Sequence, residues 1–170
     1  MPQTCAGTIT LPNKRRHDNV AKGIHGDLCK QYGIDASDKW YEHNPETISE
    51  NSQVKILWDF TIQTDKRMLH NTPYIVVVDK RKSRCHIIDV ACHGDSRIAL
   101  KKKEKINKYQ DLHLEVKTLW RMHKVCITPV VIGAFGIYTK RLEKFLDGIH
   151  VGLRTDIMQK TALLGSARIL

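Results

Sequence analysis

Apolar and polar positions recur with different periods along this chain, and the periods predict its elements. From Arg16 to Tyr32, Val20, Ile24, Leu28 and Tyr32 return every fourth residue, the stripe of an amphipathic helix, and Gly33 follows where a C-terminal cap belongs. Gly23 and Gly26 weaken that helix by up to about 1 kcal/mol each relative to alanine. The polar connector "KWYEHNPETISEN" leads into "VKILWDFTI", which alternates: Ile56, Trp58, Phe60 and Ile62 on one side, Lys55, Leu57, Asp59 and Thr61 on the other. "YIVVVDK" and "CHIIDVAC" are apolar on both faces, as strands inside a covered sheet are, and the basic turn "KRKSR" joins them.

Residues Ile98 to His123 predict one long helix or two stacked ones, with Ile106, Tyr109, Leu112, Val116, Leu119 and Trp120 as the apolar stripe. "VCITPVVIGAFG" predicts another buried strand, and Pro129 within it points to a sheet edge or a bulge. Helical patterns from Thr139 to Gly148 and from Arg154 onward follow. The order helix, three strands, helix, strand, helices predicts an α/β sandwich around a mixed sheet. Residues 1–14 have little periodicity and are expected to be a loose leader to one domain, 15–170.

Composition changes this picture in one respect. The 170 residues hold 28 Lys and Arg against 18 Asp and Glu, a formal charge of +10, which suits a polyanionic partner, nucleic acid before anionic membrane. Cys5, Cys29, Cys85, Cys92 and Cys126 are scattered without CxxC spacing, so reduced thiols are expected, with no intact zinc site and no disulfide framework. The nine histidines show no ligand spacing. No run is apolar enough for a signal peptide or a membrane span, which predicts a soluble nuclear or cytoplasmic protein.

Three acids lie on or near the strands: Asp59, Asp79 and Asp89. Asp89 stands among Ile87, Ile88 and Val90, and a carboxylate buried there needs a partner, a hydrogen bond or a metal. Mg²⁺ requires two or more rigidly held oxygens, which adjacent strands can supply. A nearby lysine could then hold the water nucleophile or steady the charge that develops on phosphorus. Lys101, Lys102, Lys103, Lys105 and Lys108 all fall on the next helix. Two plainer readings stand beside this one: a salt bridge from Asp89 to one of those lysines, or a strand-end cap beside Gly94.

"RRHDNVAKGIH", "KWYEHNPE", "ILWDFTIQTD", "TPYIVVVDK", "IIDVACHGDSR", "EKINKYQDL", "PVVIGAFG" and "QKTALLGSARIL" occur in this order. Together they resemble the C-terminal region of non-LTR retrotransposon polyproteins that carry a restriction-like endonuclease after their reverse transcriptase. The resemblance covers about Arg15 to Leu170. It implies a PD-(D/E)xK restriction-endonuclease-like core with added C-terminal helices. It also implies an ancestral activity, Mg²⁺-dependent nicking of target DNA so that the freed end primes reverse transcription. Partners would be DNA, with RNA as the other candidate, and a fused reverse transcriptase, in the nucleus where functional.

Carried over by position, Asp89 is a metal ligand and catalytic acid, and Lys105 and then Lys108 are the catalytic lysines. Arg15, Arg16 and His17 fall on a stretch expected to touch DNA. The family's first metal-binding Asp, however, falls on Tyr74 after Pro73, and a neutral phenol is a poor Mg²⁺ ligand. Asp59 is the candidate substitute acid. His93 and Lys102 also depart from the family's usual residues, and the chain lacks the polymerase and knuckle found upstream, although Cys5 falls near the knuckle's last cysteine. The expectation is therefore a decayed or truncated copy impaired in cleavage. The alternative is a non-catalytic nucleic-acid-binding module in which Lys101 to Lys108 and the turn bearing Arg81 and Arg84 contact phosphates.

Overall fold

The computed structural model describes residues 11–39, 41–93 and 97–133. The two helical patterns expected beyond Thr139 lie outside them, as do Arg15's side chain, Cys5 and Gly94. The described chain runs α1 (Leu11–Gln31), β1 (Ile48–Glu50), β2 (Val54–Trp58), β3 (Ile75–Asp79), β4 (Arg84–His93), α2 (Ile98–Lys108), α3 (Gln110–Leu119) and β5 (Lys124–Gly133). It is a mixed α/β fold with a five-stranded sheet in the order β1-β2-β3-β4-β5. The first four strands pair antiparallel, and β5 runs parallel to β4 after the α2–α3 crossover.

Both sheet faces are covered, as the apolar strands require. On one face α1 lays Val20, Ala21, Ile24 and Leu28 against Ile56, Ile75, Val77, Ile88, Val90, Val130 and Ile132. On the other, Tyr109, Leu112 and Val116 pack on Leu57, Val76, Val78, Cys85, Ile87 and Val125. Gly33 adopts φ 72 after α1, the left-handed conformation that a glycine C-cap supplies. Gly26 has a packing reason as well: a Cβ there would lie 3.3 Å from the His43 ring.

Three expectations are corrected. The helix begins at Leu11, so residues 11–14 belong to it and not to a leader. Pro12 is tolerated there because amides of the first turn have no intrahelical partner. The polar connector ends in β1, a three-residue strand too short to show a period. The long alternation stops at Trp58, because Asp59 takes φ 45 and turns the chain. Phe60 and Ile62 consequently join the α2–α3 face, while Ile56 and Trp58 stay with α1. Of the two readings of 98–123, the structure has the second, two helices with Tyr109 at the break. Pro129 sits on β5, which pairs only with β4 among the described residues, the edge position expected of it.

Candidate functional site

Asp89 is on β4, beside Pro129 of β5, and its side chain is 2% exposed on the face covered by α2 and α3. Lys105 and Lys108 are three residues apart on α2 and therefore share a helix face. That face meets Asp89. Lys105 Nζ lies 2.7 Å from Asp89 Oδ2, an ion pair without the alignment of a hydrogen bond, and Lys108 Nζ lies 3.8 Å from the same oxygen. The lysine side chains are 19% and 33% exposed, so Lys105 is the more enclosed.

Tyr109, buried at the α2–α3 break, donates a hydrogen bond to the Asp89 carboxylate. Burial, then the Asp89 charge and that bond, hold its hydroxyl protonated well above the usual phenol range. Lys108 also lies 4.9 Å from the Tyr109 ring centroid, a cation–π contact. Burial pulls the Lys108 ammonium below its ordinary pKa; neighbouring Lys105 acts in the same direction and Asp89 opposes it.

Tyr74 stands one step beyond the Ile75–Ile88 pair, and so opposite Asp89 in the antiparallel register. The Asp59 amide donates to the Tyr74 carbonyl at 2.9 Å, which lines up Asp59, Tyr74 and Asp89 across three strands. The Tyr74 ring leaves the face this register would give it. It packs edge-on to Trp58 on the α1 side, centroids 6.2 Å apart, and its hydroxyl donates to Asp18 Oδ1 at 3.1 Å. Its pKa is raised first by burial, then by Asp18, with Asp89 and Asp59 adding to the effect. Asp18 is the site residue that sequence reasoning missed.

The other expected residues are more dispersed. Asp59 is exposed and is not among the groups contacting Asp89. Asp79 caps the β3–β4 turn by accepting from the Lys82 amide at 2.9 Å. The exposed Arg81 and Arg84 lie near that turn, five residues along β4 from Asp89 at Arg84, or roughly 16 Å at about 3.3 Å per residue. Lys101 pairs with Glu104 at 2.7 Å on the surface of α2, where Lys103 is exposed and Lys102 partly so. Arg16, on α1, is partly buried.

The donor set does not fit a Mg²⁺ site. One carboxylate faces two ammonium groups, the neighbouring register position carries a protonated phenol, and among the described residues no group of three or more His, Cys, Asp or Glu side chains is placed to hold a metal ion. Counting the groups in contact, the pocket carries one surplus positive charge and suits an anion such as a phosphate oxygen. A scan against models of known protein families finds no match, and neither does a search of curated proteins. No helix among the described residues is long and apolar enough to cross a membrane.

Proposed function

We propose that this chain is a restriction-endonuclease-like domain of PD-(D/E)xK type, derived from a non-LTR retrotransposon polyprotein, that grips nucleic-acid phosphates and is impaired in cleavage. One observation carries the reading: a buried acid on a central strand and two lysines on the following helix meet in one pocket, opposite the position where the family's other acid has become Tyr74. On this reading the domain works on DNA in the nucleus and was once joined to a reverse transcriptase. The surplus charge beside Asp89 favours a second reading, a binding module without chemistry, since Lys105 already neutralises the one enclosed carboxylate.

A plasmid-nicking assay with Mg²⁺ or Mn²⁺ separates the two. The chain itself is expected to leave supercoiled plasmid essentially intact. Tyr74→Asp is expected to restore some nicking, and Tyr74→Asp with Asp89→Ala to abolish it. Salt-sensitive DNA binding without rescue by Tyr74→Asp would leave the binding module as the function. Binding that is flat with salt would refute both readings.

A further inference from the structure

The 63–71 segment, between β2 and β3, is held at its base by Ile62 N–H to Asn71 O at 2.9 Å, by Asn71 Nδ2 to Ile62 O at 3.2 Å, and by the Thr61 and Thr72 hydroxyls at 2.9 Å. Near the tip, Thr64 Oγ1 donates to Lys66 O at 2.6 Å, and Met68 packs into the apolar layer beneath α3. Yet Leu69, the next residue, is 94% exposed. A single exposed leucine needs no explanation. This one helps line a groove of about 710 Å³ against α2–α3, and Leu114, 61% exposed, helps line it too.

Lys66, Arg67, His70 and Lys108 bring basic groups to that groove. Asp111 and Glu115 are its acids, and Glu115 is engaged by Lys66 at 3.6 Å. Lys108 lines the groove and also lies 3.8 Å from Asp89 Oδ2, so the two are neighbours.

We propose that this groove receives an unpaired nucleic-acid segment next to the Asp89 pocket, with Leu69 as the apolar wedge against a base and Lys66, Arg67 and Lys108 on the flanking phosphates. The inference rests on the nucleic-acid reading above and adds a preference to it: unpaired or bulged strands over intact duplex. Apolar side chains act this way when inserted between base steps, where they replace stacking, while cations beside them fix the backbone. A stapled loop suits the role because its leucine is presented without an ordering cost at binding.

Fluorescence anisotropy tests this with the full chain and three labelled DNAs: a perfect duplex, the same duplex with a short unpaired bulge, and the single strand. The bulged and single-stranded forms are expected to bind roughly 5–10-fold tighter than the duplex. Leu69→Ser, at a fully solvated position, should erase that preference while leaving duplex affinity within about twofold. Lys66→Gln with Arg67→Gln should weaken all three and flatten the log–log salt dependence by roughly 1–2 units. Equal binding of the three forms, or a preference that survives Leu69→Ser, overturns the wedge. If duplex binding is then lost with Lys101→Gln, Lys102→Gln and Lys103→Gln together, the nucleic-acid reading stands and the groove leucines belong to a protein contact. Absence of salt-dependent binding to any of the three DNAs refutes the underlying reading as well.

Discussion

Replacing Lys105 with methionine removes the cation 2.7 Å from Asp89 Oδ2 while nearly preserving side-chain length. With an effective dielectric of about 20, the lost attraction is on the order of 6 kcal/mol gross, and Lys108 at 3.8 Å retains about 4 kcal/mol of its own. Breaking a buried pair on one side costs about 3–5 kcal/mol in general. Here Lys108 is near enough to swing closer and Tyr109 still donates to the carboxylate, which brings the expected loss to about 2–3 kcal/mol. Urea unfolding followed by far-ultraviolet circular dichroism reads this as a lower midpoint at unchanged slope. Asp89→Asn with Lys105→Met should cost less than the sum of the two single changes by about 2 kcal/mol, because the double variant leaves no enclosed charge facing Lys105's position. Asp89→Asn alone should tighten DNA binding, since it uncovers both ammonium groups. A loss below about 0.5 kcal/mol for Lys105→Met, or strict additivity in the cycle, would refute the idea that Lys105 and the enclosed Asp89 stabilise one another.

The stability of α1 should depend on acid. His25 Nδ1 and His43 Nε2 are 2.8 Å apart, one donating and one accepting, and burial, with His43 adding to it, pulls His25 down to about 4 while His43 is lowered as well by burial and by Lys30 and Lys22. The unfolded state then binds more protons between about pH 6.5 and pH 4, so stability is full above that window and falls as pH drops through it, by up to about 3 kcal/mol for His25. A pH series of unfolding midpoints checks this, and His25→Gln should flatten the profile. Gly23→Ala should stabilise the chain by about 0.5–1 kcal/mol, since no atom outside the helix lies within 4 Å of the added methyl, whereas Gly26→Ala should gain less because His43 must yield. Thermal melts of the two variants give the comparison.

Elements with a strong period were legible in the sequence. The fourfold stripe of α1 and the doubly apolar β3 and β4 need no tertiary information, and the incongruity of Asp89 among Ile87, Ile88 and Val90 was itself a signal. Periodicity offered five lysines of the next helix alike, and only the resemblance singled out Lys105 and Lys108. What was hidden depends on contacts far apart in the chain. Asp18 reaches Tyr74 across 56 residues, and only the laying of α1 over the sheet brings them together. His25 and His43 meet for the same reason, and their spacing of 18 residues matches no motif. Asp59 misled the strand assignment because a positive φ leaves no mark on a hydrophobic pattern, and its apolar neighbours simply continue on the other face.

The parallel pairing of β4 with β5 joins residues 40 positions apart, Arg84 with Lys124 at its first rung, whereas β3 and β4 meet through a tight turn. Closing the longer loop is the slower event, because its entropy must be lost before any of its contacts form. The α2 helix that carries Lys105 and Lys108 lies inside that loop. During refolding the hairpin is therefore expected to present Asp89 before its counter-ions are fixed in place, with the ionic pocket maturing after it.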